Sequence, residues 1–401
     1  MIRVWSDGLS AGLLDRHGPR GAVFAYDHGA APARGVSMTM PVRLASWNHA
    51  WGIHPIFEMN LPEGALRERL RLSFAKATGT FDAFDLLAVV GRSQIGRLRH
   101  TSADATLDEE VPFQSVDEIL THRRDGDLFA AMPRRFAVHS GLSGVQPKLM
   151  VRDEADAGIS VRGATHIVKF WSADEYPELA TNEFFCLRAA ERCGLEVPRF
   201  RLAEDGSALV VDRFDLRPDG TYRGVEDFCV LNARGTDEKY RGDYETALFG
   251  RMRAFIDGEH LPQAMDRLFT LFVLNRGLRN GDAHLKNFAL VYDDVTGSPR
   301  LAPVYDLVTT TAYIPEDGMA LTLGGSTRWP DTRKLAALGT TRCGLTPRRV
   351  REIFDIVATA IAETAAEMRT HIADHPEFAE IGRRMLDQWD PAATGSINLF
   401  R

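Results

Sequence analysis

Three side chains in the second half of the chain have the types and order that phosphoryl transfer needs. Asp282 and Asn287 bracket the run Asp282-Ala283-His284-Leu285-Lys286-Asn287, and Asp306 follows in Val304-Tyr305-Asp306-Leu307. One carboxylate can take the proton of a hydroxyl nucleophile. A carboxamide and a second carboxylate can hold a magnesium ion against phosphate oxygens. Asn280-Gly281 is a turn signal just ahead of Asp282. Alone, Asp282 reads as readily as a turn residue. The ordered set of Asp282, Asn287 and Asp306, behind a buried helix and across a hairpin, favours catalysis. His284 has the spacing of neither a zinc site nor a Ser-His-Asp relay, which leaves it a structural or phosphate-facing part.

Further candidates lie upstream. Ser140-Gly141-Leu142-Ser143-Gly144-Val145-Gln146-Pro147-Lys148 is rich in small residues just before a strand, where backbone N–H groups can approach phosphate oxygens. It has neither the GxxxxGK[ST] spacing nor GxGxxG, and by itself it reads better as an ordinary strand-entry turn. Lys169 ends the strand-like run His166-Ile167-Val168-Lys169, as the ATP-binding lysine of a kinase does. Glu183 falls on the apolar stripe Leu179, Cys186, Leu187 and Ala190 of a helix expected over residues 177–194. A carboxylate there needs a cation, and Lys169 is the obvious candidate; a glutamate at the stripe's edge reaching water is the lesser alternative. Asp212, Arg213 and Phe214 end the apolar strand Ala208-Leu209-Val210-Val211, where the hinge of a two-lobed kinase falls.

The elements that must position these residues are legible in outline. Asp7-Gly8 signals a hairpin, Ala22 to Tyr26 a strand, and Pro62 and Glu63 suit the first turn of a helix running through Leu70. Phe84 to Val90 is apolar enough for a core. Residues 103–135 lack strong periodicity and read as a linker. Beyond Phe136, strands are expected over 145–151, 166–170, 197–202 and 208–211, with Gly158 and Gly163 breaking the first connection. Past Phe228 the chain turns helical. Residues 262–279 are apolar nearly all round, hence a buried helix. Phe288 to Tyr292 and Arg300 to Pro303 flank a hairpin turn. Thr346-Pro347 caps a helix with Val350, Ile353, Phe354 and Val357 inward, and Arg348, Arg349 and Arg351 form a solvated face.

Composition sets the bounds. The 401 residues exceed one ordinary core, and 44% hydrophobic with 26% charged content is that of a soluble globular chain. A formal charge of −7 argues against broad, unaided nucleic-acid binding. The four cysteines form no CxxC pair, no apolar run reaches the roughly 20 residues of a membrane span, and no signal peptide is apparent; a cytoplasmic setting is the simplest.

Taken together, Ser143-Gly144-Val145-Gln146-Pro147-Lys148, His166-Ile167-Val168-Lys169, Asn182-Glu183, residues 280–287 and Tyr305-Asp306 resemble the HipA family of serine/threonine kinase toxins from bacterial toxin–antitoxin modules. The stretch from Leu61 to Leu70 is similar to the small N-terminal domain of full-length members. The resemblance implies an α+β fold: a small N-terminal α/β domain (1–105), a linker (106–135), a β-rich kinase N-lobe (136–230) and a helical C-lobe (231–401). It implies ATP and Mg2+ as cofactors, Asp282 as catalytic base, and Asn287 and Asp306 as magnesium ligands. By the same resemblance Ser143, Gly144, Val145, Gln146, Pro147 and Lys148 cover the phosphates and Lys169 contacts them. Asp212, Arg213 and Phe214 form the adenine hinge, and His284, Lys286, Asn287 and Tyr305 line the nucleotide. Family members phosphorylate a translation component such as an aminoacyl-tRNA synthetase and halt growth. A helix-turn-helix antitoxin of the HipB type neutralises them, and the pair binds operator DNA. Some members carry Ser-x-Ser ahead of Gly-x-Gln; here Gly141 holds the first of those positions, which confines autophosphorylation to Ser143, with Ser140 one residue upstream of Gly141. Two other readings stand beside this one: a small-molecule phosphotransferase, and a non-catalytic antitoxin-bound corepressor.

Overall fold

A computed structural model describes residues 1–18, 20–78, 81–108, 110–122, 128–144, 146, 148–153, 163–171 and 176–389. Val145, Pro147 and Gly158, singled out in the sequence, lie outside them. The fold is mixed α+β and divides into two compact units.

The first unit comprises Met1–Phe170, Val210–Glu238 and Leu290–Pro299. Its opening sheet contains β1 (Ile2–Ser6), β2 (Leu9–His17), β3 (Gly21–Tyr26), β4 (Trp47–His49) and β5 (Leu98–Ser102), in the order β4-β3-β2-β1-β5. Asp7 (φ 52°) and Gly8 (φ 74°) both take the left-handed region that a two-residue hairpin turn requires. Ile2, Val4 and Ser6 face the core with the strand period of two. The apolar run from Phe84 is the helix Ala83–Val90, started by a capping box between Asp82 and Asp85, and it buries Phe84, Leu86, Leu87 and Val90.

Two expectations need correction here. Pro62 and Glu63 precede the helix Gly64–Thr78 rather than forming its first turn, and Glu63 turns its carboxylate elsewhere. Residues 103–135 are not structureless: they contain β6 (Phe113–Gln114), the helix Val116–Thr121, capped by the Ser115 side chain, and the helix Leu128–Phe136. Elements this short fall below the window in which periodicity can be counted.

A second sheet follows with β7 (Lys148–Asp153) and β8 (His166–Phe170), antiparallel, with Lys148 opposite Lys169. After β9 (Phe200–Leu202) comes β10 (Ala208–Asp212), and β6, β7, β8 and β10 are neighbours in that order. The described strand β7 covers Lys148–Asp153, with Val145 of the expected strand outside the described residues, and β9 starts at Phe200, not at Val197.

The second unit comprises Trp171–Leu209, Lys239–Ala289 and Arg300–Arg401. Its helices include Leu179–Arg192, Leu261–Leu278, Thr332–Thr341, Pro347–Asp374 and Ala379–Gln388. Leu261–Leu278 buries residues on every side, as its apolar composition demands. Thr346 caps Pro347–Asp374 by accepting from the Arg349 N–H at 3.1 Å, and Val350, Ile353, Phe354 and Val357 are buried. The basic run is only partly a solvated face, because Arg349 forks onto both oxygens of Asp266 at 2.6 and 2.9 Å. Among the described residues, no helix is long and apolar enough to cross a membrane.

Candidate active site

The central loop is fastened from its backbone outward. The helix Leu261–Leu278 ends where Arg279 adopts φ 57°, turning the chain into Asn280. Asn280 is 2% exposed; it donates from its N–H to the Asn275 carbonyl at 2.9 Å and from its carboxamide to Asn275 Oδ1 at 2.7 Å. Its own Oδ1 receives the Asp282 N–H at 3.1 Å. The Gly281 N–H donates to Thr310 Oγ1 at 2.8 Å. A Cβ at Gly281 would stand 2.0 Å from Asp317 Oδ2, so close approach rather than backbone freedom selects glycine. The Ala283 carbonyl accepts from the Tyr244 hydroxyl at 2.9 Å, and the Leu285 N–H donates to the Lys239 carbonyl at 3.2 Å.

The three sequence-selected residues come together through Asn287. Its NH2 group donates to the Asp282 carbonyl at 2.9 Å and to the Asp306 carbonyl at 3.3 Å. That commits its amide hydrogens and leaves the carboxamide oxygen as the atom suited to a cation. The chain returns to this point through the hairpin of β11 (Ala289–Tyr292) and β12 (Arg300–Leu301), closed by the Ala302 N–H on the Ala289 carbonyl at 2.9 Å. Asp306 has φ 51°, a left-handed backbone that aspartate tolerates better than most residues and that functional sites often retain. Just beyond it, Thr309 is gripped by Asn182, which accepts from the Thr309 N–H at 2.8 Å and donates to its carbonyl at 3.1 Å.

Electrostatics distinguish the two titratable side chains of the loop. Burial pushes the Asp282 carboxyl above its ordinary value, helped by the charges of Asp306 and Asp317 and opposed by a hydrogen bond from Tyr240 and by Lys239. Burial lowers His284 to about 3, with Lys239 adding to the effect, so its imidazole is neutral at physiological pH. Lys286 is buried, and its carbonyl accepts from the Tyr305 hydroxyl at 2.9 Å. Among the described residues, no group of three or more His, Cys, Asp or Glu is placed to hold a metal. One carboxylate and one carboxamide, completed by phosphate oxygens and water, is instead the donor set magnesium takes in nucleotide sites.

Other candidates belong to other elements. In the first unit Lys169 is 5% exposed on β8 and Lys148 is 7% exposed on β7. The Gly144 N–H donates to Glu63 Oε1 at 3.0 Å, and the Ser143 hydroxyl donates to the same oxygen. Gln146 Nε2 donates to the Phe170 carbonyl at 3.2 Å. Ser140 is fully buried, donating to the Phe136 carbonyl at 2.8 Å and accepting from the Met150 N–H at 2.9 Å, so its hydroxyl is a structural tie. A Cβ at Gly141 would meet the Ser93 carbonyl at 2.5 Å, which explains glycine there in place of serine. The Arg213 guanidinium is committed to a fully buried pair with Asp215 at 2.6 Å and to the carbonyls of Gln94 and Ala164. Of Asp212, Arg213 and Phe214, then, the arginine side chain serves the fold rather than a ligand. Asp212 Oδ1 lies 3.2 Å from His166 Nε2. In the second unit Glu183 is 1% exposed on the helix Leu179–Arg192.

Sequence reading missed Glu63, Tyr240, Thr310 and Asp317. Each acts through a contact distant in sequence, and no local spacing announces such a contact.

Two family descriptions match the chain: the HipA N-terminal domain over residues 2–101 and the HipA-like C-terminal domain over residues 140–365. Among its relatives are two proteins of Sinorhizobium fredii that are named as kinases. Y4dM is 31% identical over 87% of this chain and 83% of its own length; Y4mE is 30% identical over 90% and 91%. The serine/threonine-protein kinase toxin HipA of Shewanella oneidensis is 27% identical over 63% of this chain and 62% of that protein. The fold is similar to a chain in the solved complex of Shewanella oneidensis HipA, HipB and operator DNA, with TM-score 0.67, 20% identity and coverage of 97% and 96%. With both halves matched and near-complete relatives at this identity, the chain belongs to the HipA family of kinases.

Proposed function

We propose that the protein is a Mg-ATP-dependent serine/threonine protein kinase acting as the toxin of a toxin–antitoxin module. The observation that carries the reading is the Asn287 carboxamide tied at once to the main chain of Asp282 and of Asp306. In the transfer step the acceptor oxygen forms a bond to the γ-phosphorus, and the bond from that phosphorus to the β–γ bridging oxygen breaks. Asp282 receives the hydroxyl proton, and ADP departs with the bond's electron pair. The raised carboxyl of Asp282 suits a base that must accept and then release a proton. Asn287 and Asp306 would hold magnesium, which when bound neutralises charge on the phosphate oxygens.

In the same reading Ser143, Gly144, Val145, Gln146, Pro147 and Lys148 cover the phosphates, Lys169 contacts them and Glu183 orients Lys169. Backbone groups of Asp212, Arg213 and Phe214 receive the adenine edge, and His284, Lys286 and Tyr305 line the nucleotide. Ser143 is the autophosphorylation site, since the Ser140 hydroxyl is committed inside the fold. A HipB-type antitoxin and, through it, operator DNA are the partners, by analogy with the Shewanella oneidensis complex. The location is cytoplasmic, and the substrate is a translation component such as an aminoacyl-tRNA synthetase.

Labelled ATP supplied with magnesium to a cell lysate, to purified aminoacyl-tRNA synthetases and to aminoglycosides tests this directly. Label entering a protein Ser or Thr with wild type and not with Asp282→Ala supports the reading. Label confined to small molecules replaces it with small-molecule phosphotransfer, and no transfer in either protein replaces it with a corepressor.

A further inference from the structure

The hydrogen bonds that fasten the catalytic loop hold its backbone and leave the working carboxylate to something else. The Asp282 N–H is fixed by Asn280, and the Asp282 carbonyl accepts from Asn287 and from the His284 N–H at 2.7 Å. None of these touches the carboxylate. Among the described residues, one hydrogen-bond donor does: the Tyr240 hydroxyl, 2.6 Å from Oδ1.

Tyr240 stands just after the short turn Thr236–Glu238, outside every stretch that the sequence singles out. The residue is 51% exposed, so core packing does not account for it. The ring meets His284 edge-on with centroids 5.0 Å apart, and Lys239 Nζ lies 5.5 Å from its centre. A half-exposed aromatic held by a buried imidazole on one side and by the catalytic carboxylate at its tip is a fixed arm at the mouth of the site.

We infer that Tyr240 is the positioning residue of the Asp282 base. The phenol holds Oδ1 and so aims Oδ2 at the acceptor hydroxyl. It plays the part that an orienting third group plays behind any general base whose side chain is otherwise free to rotate. The bond is a phenol–carboxylate contact, the charge-assisted kind that is both short and directional. The exposed ring face is then the first surface that an incoming Ser or Thr side chain meets. This assignment deepens the phosphoryl-transfer reading and rests on it.

Tyr240→Phe keeps the ring, its packing on His284 and its exposure, and removes one oxygen. Wild type, Tyr240→Phe, Tyr240→Ala and Asp282→Ala full chains are given Mg-ATP, with myelin basic protein as a generic acceptor. Phosphate on the acceptor and on the chain itself, ATP consumption, and melting temperature are measured. The expected result is a kcat for Tyr240→Phe lower by about tenfold, the scale of one hydrogen bond to a charged group. Its KM for ATP stays within about twofold and its melting temperature is unchanged, since the phenol supports chemistry and not nucleotide binding. Tyr240→Ala shows the same kcat loss, so that the lost oxygen rather than a disturbed fold is the cause. A Tyr240→Phe protein with wild-type kcat, or with a change confined to KM for ATP, overturns the inference. Phosphate mapped to Tyr240 itself also overturns it, by making the phenol an acceptor. Wild type no more active than Asp282→Ala overturns the phosphoryl-transfer reading itself, an outcome distinct from the other three.

Discussion

From Arg279 to Asn287 and again at Thr309 the chain is held by side chains of its own compact unit: Asn275, Asn280, Tyr244, Thr310 and Asn182. From Ser140 to Lys148 the arrangement is different. Ser140 ties the start of the loop to Phe136 and Met150, while the tip, at Ser143 and Gly144, donates to the Glu63 carboxylate of the N-terminal domain. The loop of Asp282 and Asn287 is built into buried main-chain hydrogen bonds, the fixed geometry that the proposed transfer would use. The tip, which the proposed function sets over phosphate, is held by the Glu63 carboxylate on an amide that a phosphate oxygen would also use in that reading.

That contrast predicts a graded set of effects. The largest is at Asp282: Asp282→Ala lowers phosphoryl transfer by about 10²–10⁴-fold, the usual contribution of general-base catalysis, with melting temperature preserved. Next is Gly281→Ala, which forces a Cβ to within 2.0 Å of Asp317 Oδ2 and 2.5 Å of the Gly318 carbonyl. Overpacking of this kind costs about 1–3 kcal/mol, so thermal melting should fall and kcat with it. An alanine at Gly281 that leaves both unchanged would show the loop to be less tightly held than its contacts indicate.

A pH effect of intermediate size follows from the buried histidines. Burial lowers His284 and His100 to about 3 and His54 to about 4, against 6.5 for the free side chain. Each binds its proton more readily when unfolded. Their contribution to stability is therefore complete above about pH 6.5 and is lost as pH falls toward these lower values. Melting temperatures measured from pH 8 to pH 4 should decline, and His100→Gln should flatten the decline. The smallest effect is at Glu63. Glu63→Ala releases the Ser143 hydroxyl and the Gly144 N–H, so phosphorylation of Ser143 should be several-fold faster while stability changes by about 1 kcal/mol or less. Time-resolved peptide mapping measures the first and thermal melting the second.

Local chemistry was readable from sequence where it was self-contained. Asp7-Gly8 gave away its hairpin through the left-handed pair it requires, and Thr346-Pro347 gave away a helix start through its cap. The all-round apolar run before Arg279 could only be a buried helix. The three-residue set of Asp282, Asn287 and Asp306 was readable because their order is itself the signal, and Asn287 brings them together. What escaped was long-range. Glu63 reads as helix-start chemistry and turns out to meet residues 80 and 81 positions away; Tyr240 meets a carboxylate 42 positions away. Arg213 reads as part of a hinge, yet its guanidinium is enclosed with Asp215, a burial that no local pattern marks. Short elements such as Phe113–Gln114 owe their form to strand pairing with β7, not to their own periodicity.

The most direct test of the central claim is the purified full chain incubated with ATP, with magnesium or with chelator, wild type beside Asp282→Ala, followed by intact mass, peptide mapping and ADP measurement. The account predicts magnesium-dependent ADP formation and a gain of phosphate on Ser143 in wild type, with neither in Asp282→Ala. Wild type forming no ADP and gaining no phosphate beyond the Asp282→Ala level would contradict it.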